Sequence, residues 1–301
     1  MITASHLLKA KFMSPSIDTA ALAALLQNPN LRLFDCRFDL MDKAKGQAMF
    51  SASHLPQAQY AHLESALSGE KTGSNGRHPL PAPAAFAAYL GACGVNEDSV
   101  IVVYDDVGGQ FASRLWWLCR WMGLNNVAIL DGGISAWTRE GRALTTDTVS
   151  YPHTALALRV NPRAHISAVE VQARLNSADM LLLDARAAER YRGEVEPIDP
   201  VAGHIPGAQN RFYKANLDAN LMLRPAEELR AEFLGAMAQQ GVTSASQVVH
   251  QCGSGVTACA NIFAMEHAGL TGSTLYAGSW SEWSADASRP IVGATPRGSA
   301  Q

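Results

Sequence analysis

The sequence predicts an α/β fold built from two tandem domains, each a mainly parallel sheet flanked by helices. Short apolar runs alternate with helical stretches along all 301 residues, the pattern of strands joined by crossover helices. A chain of this length points to two cores rather than one. The chain is also written twice. Leu33-Phe34-Asp35-Cys36-Arg37 returns as Leu182-Leu183-Asp184-Ala185-Arg186, and His54-Leu55-Pro56-Gln57-Ala58 as His204-Ile205-Pro206-Gly207-Ala208. Val102-Val103 before Asp106 returns as Val248-Val249 before Cys252, and Gly132 to Trp137 returns as Gly278 to Trp283. The four offsets, 149, 150, 146 and 146 residues, nearly agree. That spacing is far too long for a solenoid, so it marks a duplicated domain.

The elements follow in order. In the first half, 31–35, 100–104 and 127–130 are short apolar runs of strand length, and 20–27, 83–93 and 111–122 have helical character. In the second half the strands are 180–184, 247–251 and 273–276, and the helices are 168–176, 226–240 and 256–268. Asp18 and Ser167 stand where N-caps are needed. The domains are expected at 16–142 and 164–292, with a polar, Pro-containing linker at 143–163 and a flexible tail at 293–301.

Composition limits the function. An apolar fraction of 48% with 17% charged residues describes an ordinary globular chain. A net charge of −3 without a basic cluster gives no reason to expect nucleic acid. No apolar run reaches membrane-spanning length. His6, Lys9 and Lys11 among short apolar stretches argue against a signal peptide, so a cytoplasmic location is expected. Five scattered cysteines without a Cys-x-x-Cys pair suit a reducing compartment, and neither a disulfide framework nor a metal site is expected.

Chemistry is concentrated at Cys252-Gly253-Ser254-Gly255-Val256-Thr257. The cysteine ends a strand, two glycines let the loop curl, and an apolar helix follows. Inward N–H groups and the helix dipole of such a loop favour a thiolate, the reactive form of cysteine. Ligands in sheets of this kind bind beyond the carboxyl ends of the strands, where Cys252 falls. The first half places Asp106 there, which cannot be a sulfur nucleophile. One half therefore carries the chemistry, and the other packs against it and could close a cleft.

These motifs resemble the two-domain rhodanese sulfurtransferases along nearly the whole chain. The resemblance rests on Asp184-Ala185-Arg186, the His204 to Ala208 element, the Cys252 loop, Gly278 to Trp283, and the aspartate in place of cysteine in the first half. Thiosulfate-using members tend to carry two basic residues after the cysteine, whereas Gly253 and Ser254 are similar to the 3-mercaptopyruvate branch. Thiosulfate is a dianion that a cationic loop would neutralise. This loop holds N–H dipoles and the Ser254 and Thr257 hydroxyls instead, and suits a less charged donor. The resemblance implies a Cys252 persulfide, formed from a small-molecule sulfur donor and discharged to a thiol, a thioredoxin-like protein or cyanide. No cofactor is implied.

Arg190 aligns with the family arginine that holds the substrate's anionic group, a role that a planar guanidinium fits. Many mercaptopyruvate members carry a second arginine after a Glu-Pro pair, but here Glu196-Pro197 precedes Ile198. That departure keeps thiosulfate open as a donor. Ser254 aligns with the serine of a proposed relay whose histidine and acid match His78 and Glu64. Gly253, Gly255, Val256 and Thr257 complete the expected substrate loop.

Other residues read as structural. His54 and His204 recur in both halves and are expected to fix turns. Asp35 with Arg37, and Asp184 with Arg186, are expected as buried ion pairs, and Trp137, Trp280, Trp283 and His250 as packing residues. Cys259 is either core or a resolving thiol. Three rivals stand against sulfur transfer. A cysteine phosphatase would need an arginine where Ala258 stands, and a papain-like protease would place its cysteine near the mature N-terminus. A persulfide carrier or regulatory module without turnover remains compatible with the residues.

Overall fold

The computed structural model describes residues 11–293 apart from 158 and 176. His6, Lys9, Asn176 and the expected tail beyond Gly293 lie outside the described residues. The chain forms two units. Among the described residues the first takes in 11–69, 81–161 and 217–223, and the second takes in 70–80, 162–216 and 224–293. Each unit thus contains a short segment from the opposite half of the sequence, where the expected domains ran without interruption. Both segments are loops whose anchors are tertiary. Arg77 N–H donates to Ser281 Oγ at 3.0 Å in the second unit, and Leu223 N–H donates to Asp131 Oδ1 at 2.8 Å in the first.

The first unit holds strands β1 (Ser16–Ile17), β2 (Leu31–Asp35), β3 (Ala58–Tyr60), β4 (Val100–Tyr104) and β5 (Val127–Leu130), all parallel, in the order β1-β5-β4-β2-β3. The second holds β6 (His165–Ile166), β7 (Leu181–Asp184), β8 (Gln209–Asn210), β9 (Val248–Gln251) and β10 (Thr274–Tyr276), in the order β6-β10-β9-β7-β8. The duplication read from sequence is therefore a duplication of topology. Strands of two or three residues carry no legible period, which is why β1, β3, β6 and β8 escaped the sequence reading.

Both faces of the second sheet are covered, and the alternation along its central strands shows it. Leu181, Leu183 and Val248 join one apolar cluster with Leu229, Phe233, Ala264 and Met265. Leu182 and Val249 join the opposite cluster with Val171, Tyr276, Trp280 and Trp283. Ten helices flank the two sheets among the described residues: α1 (Thr19–Leu25), α2 (Lys45–Ala52), α3 (Pro83–Ala92), α4 (Ala112–Trp121), α5 (Gly133–Arg139), α6 (Ala168–Ala173), α7 (Ala188–Tyr191), α8 (Ala226–Gln240), α9 (Thr257–His267) and α10 (Ser279–Trp283). The expected caps form. Asp18 Oδ1 accepts the Ala21 N–H at 2.7 Å, and Ser167 with Glu170 makes a capping box at α6. Helix α8 presents a stripe of Leu229, Phe233 and Met237 to the core, while α9 is buried from Ala258 through Met265. An apolar surface on every side leaves α9 nowhere else to go.

Arg37 meets Asp35 at 2.6 Å and Arg186 meets Asp184 at 2.7 Å, all four side chains almost wholly buried. Each arginine also donates to a carbonyl next to the repeated His-x-Pro element, Ser53 O at 2.7 Å and Gly203 O at 2.8 Å. His54 stacks on Phe50 and His204 on Tyr191, both at 3.9 Å between centroids. These histidines hold turns. Trp137, Trp280 and Trp283 are core residues.

Candidate active site

Strand β9 delivers Cys252 to the carboxyl edge of the second sheet, and α9 begins at Thr257. Between them Gly255 adopts a φ of +75°, a region open to glycine, and a Cβ there would lie 2.3 Å from the Ala277 carbonyl. The loop is thus pressed against the backbone leading into α10. Cys252 N–H donates to Ser279 Oγ at 3.1 Å, Trp280 N–H donates to Cys252 O at 3.0 Å, and Ser281 N–H donates to Gly253 O at 2.9 Å. Ser279 itself sits at φ +54°, unusual for a residue with a side chain, and its hydroxyl also donates to Tyr276 O at 2.9 Å. The Gly-x-Trp-x-x-Trp segment at 278–283 is therefore the back wall of the cysteine loop as well as a source of core tryptophans.

The first unit shows what this loop architecture binds. Cys36 N–H donates to Tyr104 O there, as Ala185 N–H donates to Gln251 O in the second unit. Ile134 N–H donates to Asp105 O, as Trp280 N–H donates to Cys252 O. Strand register agrees, pairing Asp35 with Tyr104 and Asp184 with Gln251. The residue matching Cys252 is therefore Asp105, and the expected match, Asp106, is one place late. The stretch from Asp105 to Ile134 is one residue longer than that from Cys252 to Trp280, which misleads an ungapped comparison. Asp105 is buried, and its carboxylate accepts the N–H groups of Val107, Gly109, Phe111 and Ala112 at 2.8 to 3.0 Å. Burial raises its pKa against the pull of those four donors. In this unit an anion-binding loop is filled from within; in the other, the same position carries a thiol.

Around Cys252, which is 2% exposed, the second unit gathers a polar set. His78 Nδ1 and Ser254 Oγ are hydrogen-bonded at 2.7 Å, both side chains buried. Two guanidinium groups flank Gly253. A Cβ on that glycine would meet Arg77 Nη2 at 2.8 Å and the Arg190 terminal nitrogens at 3.6 and 3.7 Å. Arg190 donates to Glu196 at 2.7 Å and to Asp199 Oδ2 at 3.2 Å, and Arg77 Nη1 pairs with Asp199 Oδ1. Burial, then the positive charge of Arg190, brings Arg77 down from 12.5 to about 10. The loop contains no cation, as its sequence says, but its surroundings hold two, balanced by the Glu196 and Asp199 carboxylates. The expected Arg190 is thus joined by a second guanidinium, Arg77.

Ser254, His78, Arg190, Gly253, Gly255, Val256 and Thr257 are thus brought together. Glu64 belongs to the first unit, where its carboxylate pairs with Lys43 Nζ at 3.0 Å. Sequence reasoning passed over Arg77, Asp199, Ser279 and Ser281. Arg77 had one signal, its place beside His78 in a Gly- and Pro-rich segment. Cys259 donates its thiol to Gly255 O at 3.4 Å and is fully buried, so it braces the loop from the core. His250 is buried against Met265 and Phe233, and burial followed by the nearby charge of Arg211 drops its pKa to about 3.

The rhodanese-like domain family matches residues 18–140 and 167–286. A probable 3-mercaptopyruvate sulfurtransferase of Pseudomonas aeruginosa is 46% identical over 90% of this chain and 95% of its own length. A thiosulfate sulfurtransferase of Cricetulus griseus is 31% identical over 92% of this chain and 91% of its own. The solved 3-mercaptopyruvate sulfurtransferase of Leishmania major superposes with a TM-score of 0.79 at 30% identity, covering 90% of this chain and 74% of that one. The chain belongs to the rhodanese family and is a two-domain sulfurtransferase of its 3-mercaptopyruvate sulfurtransferase branch.

Proposed function

We propose that the chain moves a sulfane sulfur from 3-mercaptopyruvate, through a persulfide on Cys252, to a thiol, a thioredoxin-like protein or cyanide. The Cys252 thiolate attacks the donor's sulfur. A sulfur–sulfur bond forms, the carbon–sulfur bond breaks, and its electron pair leaves as the enolate of pyruvate, which a proton completes. The acceptor's thiolate then attacks the outer sulfur and returns Cys252 to a thiolate. Ser254 and His78 supply a hydroxyl and an imidazole already joined by a hydrogen bond, suited to carry the proton that the enolate takes up.

One observation carries the choice of donor: the two guanidinium groups at Gly253 are offset by two carboxylates. A pocket balanced in this way suits a single carboxylate, while a dianion would need a surplus of positive charge. Five buried free cysteines fit a reducing compartment, and we place the reaction in the cytoplasm. The test is kcat/KM for 3-mercaptopyruvate against thiosulfate on one preparation. A preference for the keto acid of at least about tenfold, roughly 1.4 kcal/mol between the two transition states, is expected. A preference for thiosulfate would overturn the donor assignment, and release of one sulfur without turnover would favour a carrier.

A further inference from the structure

We infer that the second unit binds a buried water at the end of β9, held by Gln251, Asp184 and Ile205, where the first unit places the phenol of Tyr104. The two units correspond closely here. Tyr104 pairs with Asp35 across β2 and β4, and Gln251 pairs with Asp184 across β7 and β9. Neighbours in register point to the same face of a sheet. In the first unit the Tyr104 hydroxyl donates to Asp35 Oδ2 at 2.9 Å and accepts the Leu55 N–H at 3.2 Å. Leu55 and Ile205 hold the same place in the two His-x-Pro elements, and both are fully buried. The other hydrogen bonds of the Asp35 carboxylate, all from Arg37, have their twins from Arg186 at Asp184.

The glutamine does not reproduce what the phenol does. Gln251 is wholly buried, and neither its Oε1 nor its Nε2 has a hydrogen-bond partner. Among the described residues the Ile205 N–H has no acceptor. Asp184 Oδ2 has its arginine but not the hydroxyl donor that Asp35 receives from Tyr104. Three buried residues thus present polar atoms where the phenolic oxygen sits in the first unit. Buried polar groups are rarely left unpaired, and a buried water takes two to four such partners. A tyrosine exceeds a glutamine by a volume on the order of the ~30 Å³ that one water occupies in the liquid. The water accepts the Ile205 N–H, as the phenol accepts that of Leu55, donates to Asp184 Oδ2, and bonds the Gln251 amide. The strand end that carries Cys252 is therefore tied to Asp184 and to the turn at 204–206 by an exchangeable molecule, where the first unit uses a side chain.

The experiment is a high-resolution crystal structure of the full chain, beside melting curves of wild type, Gln251→Tyr and Gln251→Leu. It uses no sulfur donor, so its outcome is independent of the activity proposed above. Density for one ordered water within about 3.2 Å of Ile205 N, Asp184 Oδ2 and the Gln251 amide is expected. Gln251→Tyr should expel that water, restore the contacts seen at Tyr104 and raise Tm by about 2 to 4 °C. Gln251→Leu withdraws the amide from the water and should lower Tm by a similar amount. The sign is decisive, because an amide buried without a partner would make leucine the more stable residue. Should Gln251→Tyr not fold, Tyr104→Gln makes the reverse exchange, and an ordered water between Leu55 N and Asp35 Oδ2 is expected. A site without density, a Gln251 amide bonded directly to Asp184, or a higher Tm in Gln251→Leu would overturn the inference.

Discussion

Placing a methyl group on Gly253 probes the arginine pair without touching either arginine. The built Cβ of Gly253→Ala lies 2.8 Å from Arg77 Nη2, short of an ordinary contact of about 3.5 Å, so the guanidinium must retreat by roughly 0.7 Å. It cannot retreat freely, because Asp199 holds Nη1 and Ser281 holds the backbone. The retreat therefore turns Nη2 away from the Cys252 loop. A misplacement of about 1 Å can lower turnover of a bound substrate a hundredfold, so a tenfold to thirtyfold fall in kcat/KM for 3-mercaptopyruvate is expected, about 1.4 to 2 kcal/mol. Gly253 is not among the positive-φ glycines, and alanine restricts the unfolded chain, so stability should stay within about 1 kcal/mol. Steady-state kinetics beside urea unfolding reads both. An unchanged kcat/KM in a folded Gly253→Ala protein would refute the steric reasoning. Gly255→Ala is the contrast: its Cβ would strike the Ala277 backbone at a left-handed φ, so folding should fail first.

Two further outcomes are expected. His250 is neutral in the fold, with a pKa near 3 against 6.5 outside it. The unfolded chain therefore binds the extra proton first, and stability present above pH 6.5 drains away toward pH 3, at about 1.4 kcal/mol per pH unit. Urea midpoints at pH 7 and 4.5 should show this loss of roughly 3 kcal/mol, and His250→Leu should flatten it; an equally steep fall in that variant would assign the loss elsewhere. Ser279→Ala removes both hydrogen bonds that hold a strained residue behind Cys252, and should lower stability by about 1 to 3 kcal/mol with a larger fall in kcat than in Tm-matched core variants. A Ser279→Ala enzyme with wild-type kcat would remove the back wall from the account.

Much of this was legible in the residues. Apolar runs of four or five, such as Val100–Tyr104 and Leu181–Asp184, announce buried parallel strands, and their order recurs in both units. Asp18 and Ser167 announce caps because capping depends on neighbours in sequence. The loop at Cys252 was visible for the same reason. Arg77 was not: its partners are Asp199 and Ser281, more than a hundred residues away. The Asp105 match failed by one position because a single inserted residue after β4 is invisible without the sheet register. Glu64 rests on resemblance alone.

Intact-mass analysis of the protein after exposure to 3-mercaptopyruvate tests the central chemistry most directly. One added sulfur atom is expected, located on Cys252 by peptide mapping, removed by cyanide as thiocyanate, and missing from Cys252→Ser. An unmodified Cys252, or sulfur transfer that survives in Cys252→Ser, would contradict it.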